Sequence, residues 1–205
     1  MTFKDLQFII NPDMRLSSPY LLIKCQEIEF ELLTQEAQFP APNRVTYIVK
    51  RQPSLICETI YNQLNIYYSA MTNFEQIGIQ RWLRKQIKAF IELVARRELP
   101  KRLHFLEKEK NLYCKSVTVK KLRKNTLGTC SQFKQITLSP KLVLFPQRMC
   151  DAVILHEMAH LKYLHHKKSF WNYLSSLLGE DANIESLKSE IAYSKNHEMI
   201  DYLMK

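Results

Sequence analysis

Residues 153–171, VILHEMAHLKYLHHKKSFW, decide how this chain is read. Within them His156-Glu157-Met158-Ala159-His160 forms an H-E-x-x-H pattern. On a helix, residues four apart differ by about 40° in direction and about 6 Å in height, so both imidazoles face one point. Two such nitrogens suit a tetrahedral zinc, and Glu157, beside the first ligand, reaches a water on the metal without being a ligand itself. Val153, Ile154, Leu155, Met158, Ala159 and Leu161 make the stretch apolar almost all round. That pattern predicts a buried helix from Gln147 to about Leu164, with Pro146 at or just before its start. A Glu and two His on a buried helix are costly unless something compensates, and a metal does so. The blander alternative is two core histidines satisfied by backbone carbonyls, with Glu157 paired to a Lys or Arg.

A catalytic zinc takes three protein ligands and keeps one position for water. Three residues are candidates for the third. His166 follows His160 by six residues, His165 is its neighbour, and Glu180 follows by 20. Spacing leaves the choice open, although a histidine is nearer and needs less of the fold.

Outward from this stretch, Lys168–Leu178 reads as a second helix closed by Gly179, a natural C′ residue. The tail from Asn183 to Lys205 reads as one or two more. Upstream, strands are expected at Ser116–Leu122 and Gln135–Leu138, separated by a turn with Gly128. Ile77, Trp82, Ile87, Phe90 and Val94 recur at roughly helical spacing between Phe74 and Glu98. Pro100 is expected to end or restart that helix, with a shorter one running to about Asn111. Tyr20–Lys24, Ile28–Leu33 and Val45–Val49 suggest strands, and residues 58–70 fit helix or strand equally. The domain reading is a strand-rich or irregular N-terminal region, 1–75, followed by a domain spanning 76–205.

Composition narrows the function. The chain has 205 residues, 46% hydrophobic and 24% charged, long enough for one sizeable core with an appendage. The three glycines, Gly78, Gly128 and Gly179, cannot build a phosphate-cradling loop. The five cysteines, Cys25, Cys57, Cys114, Cys130 and Cys150, are odd in number and show no CxxC knuckle. With no long apolar run and no secretory signal, the expectation is a soluble, cytoplasmic protein without a membrane partner. Cys130 reads as a small buried hydrophobe, and the isolated His104 and His197 as surface or capping residues.

The net charge of +10 is concentrated. Residues 101–134 carry 10 basic and 2 acidic groups, whereas residues 135–205 carry 8 of each. Lys115, Lys120, Lys121, Arg123 and Lys124 form the densest part, a candidate face for nucleic acid. A solvated strand-and-loop face is the commoner meaning of such a run.

HEMAHLKYLHHKKSFW also resembles the signature of the YgjP-like metallopeptidases, relatives of the SprT-like and WLM zinc peptidases. The pattern falls on His156, Glu157, His160, His166, Phe170 and Trp171. The family's upstream segment resembles Thr126-Leu127-Gly128-Thr129-Cys130-Ser131, continuing into Ile136-Thr137-Leu138 and Leu142-Val143-Leu144-Phe145-Pro146. Thr126-Leu127 stands where the family has Arg-Trp, His165 where an Asn is usual, and Ser139-Pro140 where a polar-aromatic pair is usual.

The resemblance implies an α+β, zincin-like metallopeptidase domain with a small sheet packed on the active-site helix, plus a divergent N-terminal region. It implies that His156, His160 and His166 bind one Zn2+ and that Glu157 is the general base for hydrolysis of protein or peptide substrates. On the residues themselves, Tyr163 reads as a packing residue, and Phe170 and Trp171 as core residues that fix the loop presenting His166. The strand at Gln135–Leu138 is the expected edge for an extended substrate. The alternative is a nucleic-acid-associated protein with a structural or vestigial metal site.

Overall fold

The structure, a computed structural model, describes residues 9–28, 45–48, 55–123, 126–179 and 197–204. Glu180, Lys124 and most of the strand expected at Ile28–Leu33 lie outside the described residues, as does the tail before His197. The chain divides into two compact units, Met1–Ile91 with Asp201–Lys205, and Glu92–Ile200.

The first unit holds a five-stranded sheet of β1 (Arg15–Ser17), β2 (Leu22–Glu27), β3 (Val45–Ile48), β4 (Leu55–Ile60) and β5 (Gln63–Tyr68), in the order β1-β2-β5-β4-β3. The β2–β5 pair is parallel and the other pairs are antiparallel. The stretch 58–70, which fits either helix or strand by pattern, contributes to β4 and β5 as a hairpin. Tyr61, at φ 50, supplies the left-handed residue that so tight a turn requires. Leu16, Ile23, Leu55, Cys57, Leu64 and Ile66 form the buried face. Gln80 is buried with its amide satisfied: it donates to the carbonyls of Ile10 (2.8 Å) and Phe74 (2.6 Å) and accepts from Ile10 N–H (2.9 Å).

Helix α1 runs from Ile77 to Lys110 without a break at Pro100, contrary to the expected stop. Proline removes one hydrogen bond, but the apolar stripe continues past it. Val94, Ala95, Leu99 and Leu103 are fully buried and Leu106 nearly so, and burial on both sides of the proline holds the helix together.

The second unit holds a three-stranded sheet of β6 (Ser116–Val119), β7 (Gly128–Cys130) and β8 (Gln135–Leu138), in the order β6-β8-β7. β8 therefore pairs on both sides, parallel to β6 and antiparallel to β7, and cannot offer an edge to a substrate. Gly128 opens β7, opposite Leu138, and is not in a turn. A 3-10 turn over Pro140–Leu144 buries Leu142, Val143 and Leu144. It leads to α2 (Gln147–Ala159), with Pro146 at its N-cap as expected.

α2 is shorter than its pattern suggests. His160, at φ −67 and ψ −15, is its C-cap, and the N–H groups of Leu161 and Lys162 turn back onto the carbonyls of Met158 and Ala159. The apolar stripe stops there, since Leu164 is 61% exposed, and nothing draws the helix onward. α3 (Lys168–Leu178) ends at Gly179, whose φ of 78 is the left-handed conformation that glycine adopts without strain. A last helix, α4 (His197–Met204), closes the described chain. α2 packs on β7, β8 and α3, so the H-E-x-x-H helix lies between the small sheet and α3.

Candidate metal centre

His156 and His160 project from the last turn and the cap of α2, where the helical spacing still holds. His166 returns from the loop between α2 and α3. One ligand nitrogen from each of the three lies within 4.8 Å of the others. His156 Nε2 and His166 Nε2 are 3.1 Å apart. In a tetrahedral zinc site with Zn–N of about 2.0–2.1 Å, ligand nitrogens stand about 3.3–3.4 Å apart, so the donor set fits such an ion. His165, also a candidate, is exposed and points elsewhere, its Nδ1 accepting from the Lys167 N–H at 3.3 Å.

The cluster is held from behind. His160 Nδ1 lies 2.8 Å from the Tyr163 carbonyl, which fixes the proton on Nδ1 and leaves the Nε2 lone pair as the one that could hold a metal. Phe170 is fully buried and stacks on His160, with centroids 4.6 Å apart and planes at 27°. It meets His156 and His166 edge-on. Trp171 stacks on His166 and donates its indole N–H to the His166 carbonyl at 2.9 Å. Burial, reinforced by the two neighbouring imidazoles, pulls His156 down to about 4, so its nitrogen stays unprotonated at neutral pH.

Glu157 is buried, and burial pushes its carboxyl up to about 8. Among the described residues no Lys or Arg is paired with it, which removes the arrangement in which Glu157 is simply half of a buried ion pair. Its side chain lies against Gly128 on β7. Cys130 is half-buried on the same strand. Burial and then Glu157 raise its thiol to about 11, a protonated and unreactive state.

Sequence patterns did not reveal two of these features. The Tyr163 contribution is a backbone carbonyl, whereas its ring packs on Tyr173 at 5.7 Å. The Gly128 contact depends on how β7 and α2 pack. His104 sits outside the centre, its Nδ1 2.6 Å from Glu107 Oε2. His197 opens α4. Lys115, Lys120, Lys121 and Arg123 are exposed on either side of β6.

Among known families, residues 26–189 match a metallopeptidase domain. The matching family is described as YgjP-like, metallopeptidase domain, and the chain belongs to it. No curated protein and no solved structure matches the chain. The mixed α+β architecture, with small sheets and helices, is compatible with that domain. Membership makes protein or peptide the substrate class and implies a metal ion. Among the described residues no helix is long and apolar enough to cross a membrane.

Proposed function

We propose that this chain is a zinc-dependent peptidase with a zincin-like active-site unit, in which His156, His160 and His166 hold one Zn2+ and Glu157 is the general base. The observation that carries the proposal is the convergence of three imidazoles, one of them returning from a loop, on nitrogens spaced for one ion. The five free cysteines suit a reducing compartment, the cytoplasm.

When bound, zinc supplies the positive charge that acidifies a water and polarises the scissile carbonyl. The remaining work falls to the chain. The Tyr163 carbonyl orients His160, and Phe170 shuts water out from behind the ligands. A carboxylate oxygen of Glu157 takes a proton from the attacking water and then delivers it to the leaving amine. Its buried setting favours the protonated form between those two steps. An extended substrate would add to the outer edge of β7, which among the described residues pairs only with β8.

Purified protein should contain about one zinc per chain. Glu157→Gln should keep that zinc and lose hydrolysis of an unfolded, fluorophore-labelled protein substrate by about a hundredfold or more. A Glu157→Gln variant as active as the parent would remove Glu157 from the mechanism.

A further inference from the structure

We infer that Gly128 is a positioning residue for Glu157, a strand glycine whose missing side chain makes the space in which the catalytic carboxylate is held. The inference rests on the assignment of Glu157 as general base. A Cβ at Gly128 would stand 2.6 Å from Glu157 Cγ, 2.8 Å from Oε1 and 2.9 Å from Cδ. All three distances are shorter than real Cβ contacts allow, so the Glu157 side chain from Cγ to Oε1 occupies the space that a Cβ at position 128 would need.

Backbone conformation does not explain this glycine. Of the three in the chain, only Gly179 has a positive φ, so any residue could adopt the backbone at Gly128. The other two are also not crowded: a Cβ at Gly78 or Gly179 would meet nothing within 4 Å. Gly128 alone answers a need for room, and the group filling the room is Glu157.

Nor can Glu157 easily yield. It is 6% exposed, on a helix that packs on β7, and the contact reaches Cγ near the base of its side chain. Gly128 itself is pinned opposite Leu138 in the β7–β8 ladder. A methyl group at position 128 must therefore turn the carboxylate away from its present place or push strand and helix apart. The first outcome misplaces the base, and a displacement of about 1 Å at a reacting group is enough to cost about a hundredfold in rate.

Gly128→Ala tests this in two ways. The zinc-loaded variant should keep one ion per chain and lose about a hundredfold in kcat. Its KM should stay within about twofold, a split that general loosening of the fold would not produce. Unchanged kcat would overturn the inference.

The second readout needs no activity. In metal-free protein Gly128→Ala should lower the melting temperature by about 2–8 °C in the parent and leave it unmoved in a Glu157→Ala background, where the methyl has room. Equal shifts in the two backgrounds would overturn the contact. If Gly128→Ala alone does not fold, a folded Gly128→Ala/Glu157→Ala double variant supports the inference, and an unfolded one overturns it. Hydrolysis by Glu157→Gln reports separately on the base, so failure of that assignment is distinguishable from failure of the contact.

Discussion

The indole N–H of Trp171 donates to the His166 carbonyl at 2.9 Å while its ring stacks on the His166 imidazole, with centroids 5.6 Å apart. One side chain thus fixes both the backbone and the ring of the histidine that comes from a loop. His156 and His160 inherit their positions from α2, but His166 has no helix of its own.

Trp171→Phe keeps an aromatic face and removes the hydrogen bond. Zinc affinity should fall by about tenfold, the usual scale for losing an outer partner of a ligand. The melting temperature of the metal-free protein should hardly move, because the residue is only partly buried. Competition against a chromophoric chelator measures the affinity. An unchanged value would show that the loop is held by other contacts.

Within the second unit, Arg102 on α1 grips Asp151 on α2 through two bonds of 2.6 Å each, and Gln147 donates to the same carboxylate at 2.8 Å. The Arg102 guanidinium also lies 4.6 Å from the Phe105 ring centre. The pair is bidentate and partly shielded, so it exceeds an ordinary surface ion pair. Asp151→Ala should destabilise the protein by about 1–2 kcal/mol in urea unfolding, allowing for solvent screening. A loss no larger than experimental error would mean that solvent screens the pair entirely.

How much of this was legible in the sequence depended on the range of the interaction. His156, Glu157 and His160 were readable because their spacing is local and the helical period converts it into direction. His166 could not be separated from His165 or Glu180 by spacing alone, since the return of the loop depends on Trp171 and Phe170. The central place of β8 was hidden because sheet order is a non-local choice. Pro100 looked like a stop because local propensity argues for one, yet Leu99 and Leu103 are buried on either side of it. Gly128 looked like a turn residue, because its neighbour Glu157 is brought there only by packing.

Glu107 links acidity to stability. Burial alone would raise its carboxyl, but hydrogen bonds from His104 (2.6 Å) and the Cys114 N–H (2.8 Å) outweigh burial and lower it. A carboxyl lowered in the folded state contributes stability in full above the ordinary glutamate value and loses it as pH falls through the folded value. Glu107→Gln should therefore flatten the decline in stability as pH falls below the ordinary glutamate value. Urea midpoints across that range provide the check, and parallel curves for parent and variant would show that Glu107 takes no part.

Glu157 should behave in the opposite sense in metal-free protein. Burial raises its carboxyl from 4.5 to about 8. A carboxyl raised by folding contributes its full stability below the unfolded value, and that contribution is lost as pH rises through the folded one. The loss begins near pH 4.5 and is complete only above about pH 8. Glu157→Gln keeps the shape but cannot ionise. With a chelator present, parent and variant should unfold alike at about pH 4, and the variant should be more stable by about 2–4 kcal/mol at about pH 9. Zinc should narrow the gap, because a nearby cation favours the ionised carboxylate that the empty site disfavours. A variant no more stable than the parent at high pH would mean that the folded protein already solvates or pairs the Glu157 charge.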